Sequence, residues 1–530
     1  MNRGATQAGS EDEGRARLPR RFRLNMATSY LRTGSTALIT LVMTPVLIAG
    51  LGLEAFGIWV IVSSLAFYRD LLQFGFQTAT PKYVAEYSAL EDDVGLRRSI
   101  ATSFWFLAGS GMLALVLGVG IAFAFPYLFD VSPDLRESAR VLVLVMTLDF
   151  ALGLPGAAFA GTLMGLQRFD LMNTTLIVIG VLQAAAMTLV IVLDGGLVAL
   201  GVVTVAISQC GWLWRYHLAR KLVPGLTVSL RGADRGLAKP FVRLSIWYGI
   251  EDAAYIVVNR LDTIVVGLVL GAGAAGIYAV GQRLALALAQ LAQPVSNLFF
   301  PHSSELAAQG DAVGLRNSIF TGTRLILAVI APLAITLAFL AAPIIDAWVG
   351  SDFEDAAQVT VFLAAAVTTW VLIDTGLTMT LGTGKARAPA LIRASEAVLN
   401  LGLSVVLAHL IGLEGVAVAT LVAAAAVNLV VLLPYICRHF EIPLAAFIGS
   451  IVRAHAAPAA AALLVGWLVT RLDPTSVLAM LAAGVAIVGA YAAPFLLTGL
   501  DSSERRALRE RMRRAPVEGS HGGTVGDAER

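Results

Sequence analysis

Long apolar segments of helical length recur along the whole chain and are separated by short polar loops. A helix needs about 20 apolar residues to cross the hydrocarbon core of a membrane, and each segment reaches that length. Lipid offers no hydrogen bonds to an open backbone, so every segment is predicted to be an α-helix. The pattern predicts an all-α integral membrane protein with about fourteen spans, at residues 27–50, 56–79, 99–125, 139–164, 171–193, 197–215, 244–270, 275–299, 319–345, 357–382, 388–411, 414–437, 447–470 and 475–499.

The loops between these spans alternate in charge. Lys and Arg are concentrated in residues 1–26, 217–243 and 501–530 and in every second loop, whereas the alternate loops carry mainly Asp and Glu. Basic loops stay on the cytoplasmic side of a membrane. We therefore predict a multi-pass inner-membrane protein with both termini in the cytoplasm, and a basic tail at 501–530 that rests on anionic membrane lipids.

Two halves of the chain resemble each other. The segment Val94–Ile100 (VGLRRSI) recurs as Val313–Ile319 (VGLRNSI), and Leu51–Trp59 recurs as Leu270–Tyr278, both at an offset of 219 residues. Each copy holds six spans, an even number, so the copies have the same orientation and are related by an axis along the membrane normal. This predicts a basic N-terminus at 1–26, six-helix lobes at 27–216 and 244–440, a linker at 217–243, two additional helices at 441–500, and the tail.

Polar residues form stripes along equivalent spans of the two copies. The first span carries Ser29, Arg32, Thr36, Thr40 and Thr44 at intervals of three and four residues, which places them on one helical face. The seventh span carries Tyr248, Glu251, Tyr255, Asn259 and Asp262 at matching positions, and the second and eighth spans show similar faces. Such faces line a water-filled cavity between the lobes, or else bond neighbouring helices to each other.

Charged residues also lie within the spans, where an ionised group needs a partner, water or a functional role. Arg32 and Arg69 lie toward the predicted cytoplasmic side, while Arg260 and Arg283 lie in the outer half. Snorkelling of Arg32 and ion pairing of Arg69 or Arg260 are the alternatives to function. The candidate cavity residues are Arg32, Arg69, Arg260, Arg283, Thr36, Thr40, Tyr248, Tyr255, Asn259 and Gln282, and the candidate ion-coupling residues are Asp70, Glu251 and Asp262.

Composition narrows the function classes. The chain is 57% hydrophobic and 14% charged, whereas a soluble protein carries roughly 25% charged residues. A net charge of +2 gives no reason to expect a nucleic-acid partner. Lys385 follows a Gly-Thr-Gly sequence without the remaining elements of a phosphate-binding loop, and the six histidines are scattered without metal-ligand spacing. We therefore expect no enzyme activity, no cofactor and no metal site.

Several motifs together resemble one known family. They are Leu51–Trp59, Gly75–Glu86, Leu163–Asn173, Asn259–Gly267 and Gly276–Leu284. With them the chain, over about residues 20–500, resembles the polysaccharide transporters (Wzx-type oligosaccharide flippases) of the multidrug/oligosaccharidyl-lipid/polysaccharide exporter (MOP) superfamily. The resemblance implies a fold like that of the multidrug and toxin extrusion (MATE) transporters, with spans 1, 2, 7 and 8 around a central cavity. It also implies transfer of a polyprenyl-diphosphate-linked oligosaccharide from the cytoplasmic to the outer leaflet by alternating access.

Given that resemblance, the arginines suit the diphosphate, because a guanidinium binds phosphate oxygens in a bidentate manner. Arg32 and Arg69 would receive it from the cytoplasm, and Arg260 and Arg283 would hold it further out. The implied partners are the lipid-linked oligosaccharide, membrane lipids, and a polysaccharide polymerase with its chain-length proteins. Three alternatives stay open: a cation-coupled multidrug antiporter that uses Asp70, Glu251 or Asp262, a peptidoglycan-precursor flippase, and a scaffold without transport activity.

Overall fold

The computed structural model describes residues 20–73, 76–229, 250, 253–254, 257–258, 260–385, 387–472 and 474–499. Throughout this described part the chain is helical and contains no strand. Most of the predicted N-terminus (1–26) and linker (217–243), and the whole tail at 501–530, lie outside it. The helices are α1 (Arg20–Leu51), α2 (Leu53–Ser64), α3 (Ala66–Leu72), α4 (Phe76–Ala89), α5 (Asp93–Leu128), α6 (Arg136–Gly165), α7 (Phe169–Val192), α8 (Gly196–Leu222), α9 (260–270), α10 (Ala272–Gln309), α11 (Ala312–Val349), α12 (Ala356–Gly382), α13 (Arg387–Ile411), α14 (Leu413–Ala424), α15 (Leu433–His439), α16 (Leu444–Thr470) and α17 (Val477–Pro494).

Twelve helical segments of the described chain are long and apolar enough to cross a membrane, and they match twelve of the predicted spans. The prediction of an all-α, multi-pass membrane protein is therefore confirmed. The second predicted span, 56–79, is divided among α2, α3 and α4, and α2 has only 12 residues. The seventh, 244–270, lies partly outside the described residues. The count of fourteen accordingly stays a prediction.

The duplication extends to the backbone at the helix ends. Gly52 before α2 and Gly271 before α10 both have positive φ, 77° and 89°, a conformation that glycine adopts without a steric cost. Asp92 and Asp311 both cap the next long helix, with carboxylate oxygens that accept hydrogen bonds from backbone N–H groups of its first turn. Both pairs have the offset of 219 residues seen in the sequence. Hence the repeat preserves the turns as well as the spans.

The two halves pack their helices in the same order. In the first half, α5 packs on α6, α6 on α8, α7 on α8, and α4 on α6. In the second half, α11 packs on α12, α12 on α14, α13 on α14, and α10 on α12. We call the first set, α1–α8, the N-lobe and the second set, α9–α15, the C-lobe. Helices α16 and α17 pack on α11, outside the repeated arrangement.

The apolar cores show where the lobes meet. We call the end that holds Gly52 and Gly271 the outer end, following the charge-based prediction, and the opposite end the inner end. At the outer end a single core joins both lobes, with Phe56 and Trp59 from α2 and Tyr278 and Ala279 from α10. At the inner end each lobe has a core of its own. The N-lobe core there includes Val84, Ile100 and Phe159, and the C-lobe core includes Ile326, Val371 and Ile436.

Glycines allow the close contact at the outer end. A Cβ atom on Gly57 of α2 would lie 1.8 Å from the carbonyl oxygen of Ala272, at the start of α10. A Cβ atom on Gly276, one turn further along α10, would lie 3.2 Å from the ring of Phe56. Small residues let two helix backbones approach closely in a membrane. The lobes therefore touch at the outer end because α2 and α10 lack side chains there.

Gly57→Val is expected to hold the lobes apart at the outer end, because no side chain fits between Gly57 and the Ala272 carbonyl. Met43, which is buried near this contact, serves as the reporter after replacement with cysteine in a variant without Cys210 and Cys437. A membrane-impermeant maleimide added to whole cells should label this cysteine faster by roughly an order of magnitude. The control is Gly120→Val, because a Cβ atom there meets nothing within 4 Å. Equal labelling of the two variants would contradict the assignment of the contact.

Candidate functional site

An arginine joins the two lobes at the outer end. Arg283 on α10 donates a hydrogen bond through Nη1 to the hydroxyl oxygen of Thr44 on α1. Its guanidinium also lies over the ring of Phe56 on α2, with Cζ 5.3 Å from the ring centroid. A cation over an aromatic face is attracted by the negative face of the ring. Arg283 is thus the candidate cavity residue that the structure places directly in the contact between lobes.

A second polar contact crosses the lobes beside it. The indole Nε1 of Trp348, at the end of α11, donates a 2.8 Å hydrogen bond to the backbone oxygen of Leu41 on α1. Within a helix that oxygen would accept from the residue four positions later, which is Pro45, and proline has no N–H. Trp348 therefore satisfies a carbonyl that Pro45 leaves open. Sequence reasoning singled out Pro45 as a possible bend but gave no sign of Trp348.

Below this contact, Arg260 faces the space between the lobes. On the same helix, Gly267 packs against the N-lobe, since a Cβ atom on it would lie 2.6 Å from Ile61 Cδ1 and 3.0 Å from Phe129 Cδ1. Arg260 is seven residues earlier, about two helical turns, and so lies on the same face of α9. Its side chain is exposed. Because the lobes separate toward the inner end, this face of α9 borders an open crevice there.

The same progression occurs on α10 and α1. On α10, Gly276 and Arg283 contact the N-lobe, and Gln290, at the next interval of seven, is exposed. On α1, the stripe at intervals of four runs from Thr44, which is buried, through Thr40, which is half-buried, to Thr36 and Arg32, which are exposed. We call the space bordered by these exposed residues, Arg32, Thr36, Arg260 and Gln290, the inner crevice.

The lower end of the α1 stripe has a different environment. Ser29 accepts a 2.9 Å hydrogen bond from Nδ2 of Asn173 on α7 and donates one to the backbone oxygen of Asn25. Here the alternative of helix-to-helix bonding applies. The hydroxyl of Thr40 likewise donates to its own helix, to the Thr36 oxygen at 2.9 Å.

Arg69 lies within the N-lobe. It is half-buried on α3, with Cζ 5.5 Å from the ring centroid of Phe150 on α6, and it is within electrostatic range of Asp149. Asp149 accepts hydrogen bonds from the Ser208 hydroxyl and, at 2.8 Å, from Gln209 Nε2 on α8. These neighbours give Arg69 a solvated position inside the lobe, and its role toward a substrate stays a prediction.

Asp262 lies in a cage of hydroxyl groups in the C-lobe. Its side chain is 1% exposed, and its carboxylate accepts hydrogen bonds from Tyr278 Oη at 3.0 Å, Thr420 Oγ1 at 2.6 Å and Ser404 Oγ at 3.3 Å. Asn400 donates to the same Thr420 hydroxyl at 2.9 Å. These donors come from α10, α13 and α14. Since they lie far from Asp262 in the sequence, no local pattern indicates them.

The other candidates divide in two groups. Gln282 accepts a 3.3 Å hydrogen bond from Thr263 and faces the interior of the C-lobe, so it does not border the inner crevice. Tyr248, Glu251, Tyr255 and Asn259 lie outside the described residues, as does the side chain of Asp70.

Trp348→Phe is expected to weaken the outer contact, because it keeps an aromatic ring but leaves the Leu41 oxygen without a donor. A buried acceptor without a partner costs about 1–3 kcal/mol. Labelling of a cysteine at position 43 should accelerate roughly tenfold, whereas Trp467→Phe, on an exposed face of α16, should leave it unchanged. In a Pro45→Ala background the alanine N–H can bond to Leu41, so the effect of Trp348→Phe should largely disappear. Purely additive effects of the two changes would contradict the proposed link.

Known proteins similar to this chain agree with the fold. A model of the family described as "Polysaccharide biosynthesis protein" matches residues 51–358. The Bacillus subtilis (strain 168) protein named "Uncharacterized membrane protein EpsK" is 21% identical over 425 residues, which cover 79% of this chain and 83% of the relative.

Solved structures show the same arrangement of helices. The lipid II flippase MurJ, in an inward closed conformation, superposes with a TM-score of 0.68 at 15% identity, over 90% of this chain and 99% of that one. An inward-facing MATE-family transporter of the MOP superfamily gives a TM-score of 0.59 at 15% identity, over 76% and 94% of the two chains. These likenesses confirm the MATE-like fold. Because the family model spans more than half of the sequence, the chain belongs to the family of polysaccharide biosynthesis proteins.

Proposed function

We propose that this protein is a flippase that moves a polyprenyl-diphosphate-linked oligosaccharide, a repeat unit of a cell-surface polysaccharide, from the cytoplasmic to the outer leaflet of the inner membrane. The observation that carries the proposal is the inner crevice, with Arg260 exposed in it and Arg283 at its closed outer end. Membership in the polysaccharide biosynthesis family supports the choice of substrate class. A polysaccharide polymerase and its chain-length proteins would then act on the product.

The crevice suits an anionic head group that enters from the cytoplasm. A diphosphate binds best to guanidinium groups, whose planar fork matches phosphate oxygens and whose charge is permanent. Arg32 and Arg260 border the crevice and are exposed, so they meet the diphosphate first. The polyprenyl tail stays in the lipid through the gap between the lobes.

Arg283 connects binding to opening of the outer end. In the closed state it bonds to the neutral hydroxyl of Thr44. A charge-assisted bond from a guanidinium to a phosphate is roughly twice as strong as a bond between neutral groups. A diphosphate that reaches Arg283 therefore displaces Thr44 and removes a contact that holds the lobes together. Alternating access follows, because the substrate itself weakens the outer contact.

The membrane potential sets the direction. Moving negative charge out of an inside-negative cell releases about 2.3 kcal/mol per charge per 100 mV. Among the three ion-coupling candidates, Asp262 has a described environment, a buried carboxylate among hydroxyl donors. We propose it as the site where a proton or a sodium ion couples to transport.

Two other functions share parts of this site. A peptidoglycan-precursor flippase also carries a polyprenyl diphosphate, and the similarity in fold to MurJ favours it as the second candidate. A multidrug antiporter for cations is disfavoured, because Arg32 and Arg260 would repel its substrate in the crevice. A scaffold without transport would not require arginines in a crevice at all.

Arg260→Ala is expected to slow transport of a fluorescent polyprenyl-diphosphate oligosaccharide in proteoliposomes by about tenfold or more, since hydrogen bonds to charged groups contribute about 1.5–3 kcal/mol. Arg260→Lys should retain part of the activity, because a lysine keeps the charge without the bidentate geometry. Arg453→Ala, an exposed arginine of α16 that bonds to its own helix, is the control and should transport normally. Normal transport by Arg260→Ala would contradict the proposal.

Asp262→Asn is expected to abolish the response of transport to an imposed proton or sodium gradient, because the neutral amide cannot exchange a charge. The surrounding hydroxyls can still bond to the amide oxygen, so the fold should persist. Asp149→Asn removes the buried carboxylate of the N-lobe and should leave the gradient response intact. Loss of the response in both variants, or in neither, would refute the specific role of Asp262.

A further inference from the structure

A cavity lies inside the C-lobe, apart from the inner crevice. It is bordered by α10, α12, α13 and α14 and by Val258 and Asp262 of the seventh span. Val258 and Asp262 lie on the face of that span opposite Arg260, so the cavity and the crevice lie on either side of the same helix. The cavity has an empty volume of about 620 Å³, including its mouth. This is within the ~300–1,000 Å³ usual for small-molecule sites.

The walls of the cavity combine an apolar side with a polar one. Leu286, Leu363 and Val367 contribute apolar surface, and the indole of Trp370 contributes a flat aromatic face. Gln282, Arg393, Glu396 and Thr420 contribute donors and acceptors. From Gln282 to Ala289 the cavity follows α10 for about 10 Å along the helix axis. Its shape and chemistry suit a ring-shaped molecule with one apolar face and a polar rim.

The charged groups of the cavity neutralise each other. Arg393 Nη1 lies 2.5 Å from Glu396 Oε2, and the two side chains are 4% and 3% exposed. Such a buried pair carries no net charge, so the cavity wall favours neither an anion nor a cation. The carboxylate of Asp262 already accepts from three hydroxyls. A neutral polar ligand fits these surroundings best.

Three buried polar atoms around the cavity have no hydrogen-bond partner within the described part of the chain. They are Arg393 Nε and Asn428 Nδ2, which are donors, and Asn400 Oδ1, which is an acceptor. Arg393 Nη1 lies 3.4 Å from Asn428 Oδ1, and Asn400 bonds to Thr420, so all three atoms adjoin the cavity wall. Asn428 belongs to a π-helical stretch, Ala425–Leu432, and such stretches occur frequently at functional sites.

A ligand that satisfies these atoms must both accept and donate. Hydroxyl groups do both, whereas a phosphate only accepts and an ammonium only donates. An apolar molecule would leave all three atoms unsatisfied. A molecule with several hydroxyls on a ring whose faces carry C–H groups matches the donors, the acceptor and the Trp370 face together.

We propose that this cavity binds one neutral sugar ring of the oligosaccharide, with the C–H face of the sugar on Trp370 and its hydroxyls on Arg393, Glu396 and Gln282. The inference rests on the proposed flippase function and adds a second subsite to it: the crevice arginines hold the diphosphate, and the C-lobe holds a sugar. The glycan reaches the C-lobe from the same crevice that admits the head group.

The test measures binding of three probes to the purified full-length protein by calorimetry. The probes are the repeat oligosaccharide released from the surface polysaccharide of the source cells, farnesyl diphosphate, and tetraphenylphosphonium. Ala289→Phe fills the cavity without removing a polar group, and Ala456→Phe on an exposed face of α16 is its control. Trp370→Ala, with Trp467→Ala as control, covers the case in which the filled variant does not fold.

Ala289→Phe and Trp370→Ala should each weaken oligosaccharide binding by about tenfold or more and leave farnesyl diphosphate binding unchanged. Arg260→Ala should do the reverse. Unchanged oligosaccharide binding in both cavity variants would overturn the sugar subsite, whatever the result for the diphosphate. Selective loss of tetraphenylphosphonium binding would overturn it in favour of a cation site. If the oligosaccharide effect appears and Arg260→Ala still transports normally, the subsite stands and the diphosphate role fails.

Discussion

Ionised side chains inside a membrane protein persist only where another polar group or water solvates them, and the arrangement of this protein depends on that requirement. An unsolvated charge in the hydrocarbon costs at least ~2.5–3.5 kcal/mol. Arg283 is solvated by Thr44 and Phe56, Arg393 by Glu396, and Asp262 by three hydroxyls. Arg260, being exposed, meets water in the crevice. For Arg283 the partners lie in the other lobe, so solvation of its charge also joins the two lobes.

The duplicated architecture supplies two similar lobes, and the polar contacts come from the positions where the copies differ. At the offset of 219 residues, Arg283 corresponds to Ser64, Trp348 to Phe129, and Pro45 to Ile264. Only one copy of each pair carries the group that bonds across the lobes. The shared turns, such as those at Gly52 and Gly271, keep the lobes alike in shape. Symmetry thus provides two rigid bodies, and asymmetric substitutions give the closed outer end its polar bonds.

Much of the fold was predictable because hydropathy and loop charge are local properties. Twelve predicted spans match described helices, but the interruption between α2 and α3 lies inside an apolar segment and has no hydropathy signal. The stripe on α1 predicted a shared face, yet not that Ser29 bonds to α7 while Thr44 meets Arg283, 239 residues away. Likewise, proline chemistry reveals an open carbonyl at Leu41, but its donor Trp348 is 307 residues distant. Contacts of this kind arise from packing, which a single sequence does not specify.

The two recognition surfaces share the same pair of helices. The seventh span bears Arg260 on one face and Asp262 on the opposite face, and α10 bears Arg283 toward the N-lobe and Gln282 toward the C-lobe cavity. A helix moves as a rigid unit over such short distances, because its backbone bonds fix one side chain relative to the next. When Arg283 leaves Thr44 for a phosphate, any displacement of α10 must also displace Gln282 and the Tyr278 hydroxyl that bonds to Asp262. Binding of the head group, the sugar and the coupling ion would therefore be linked through α10 without a longer chain of contacts.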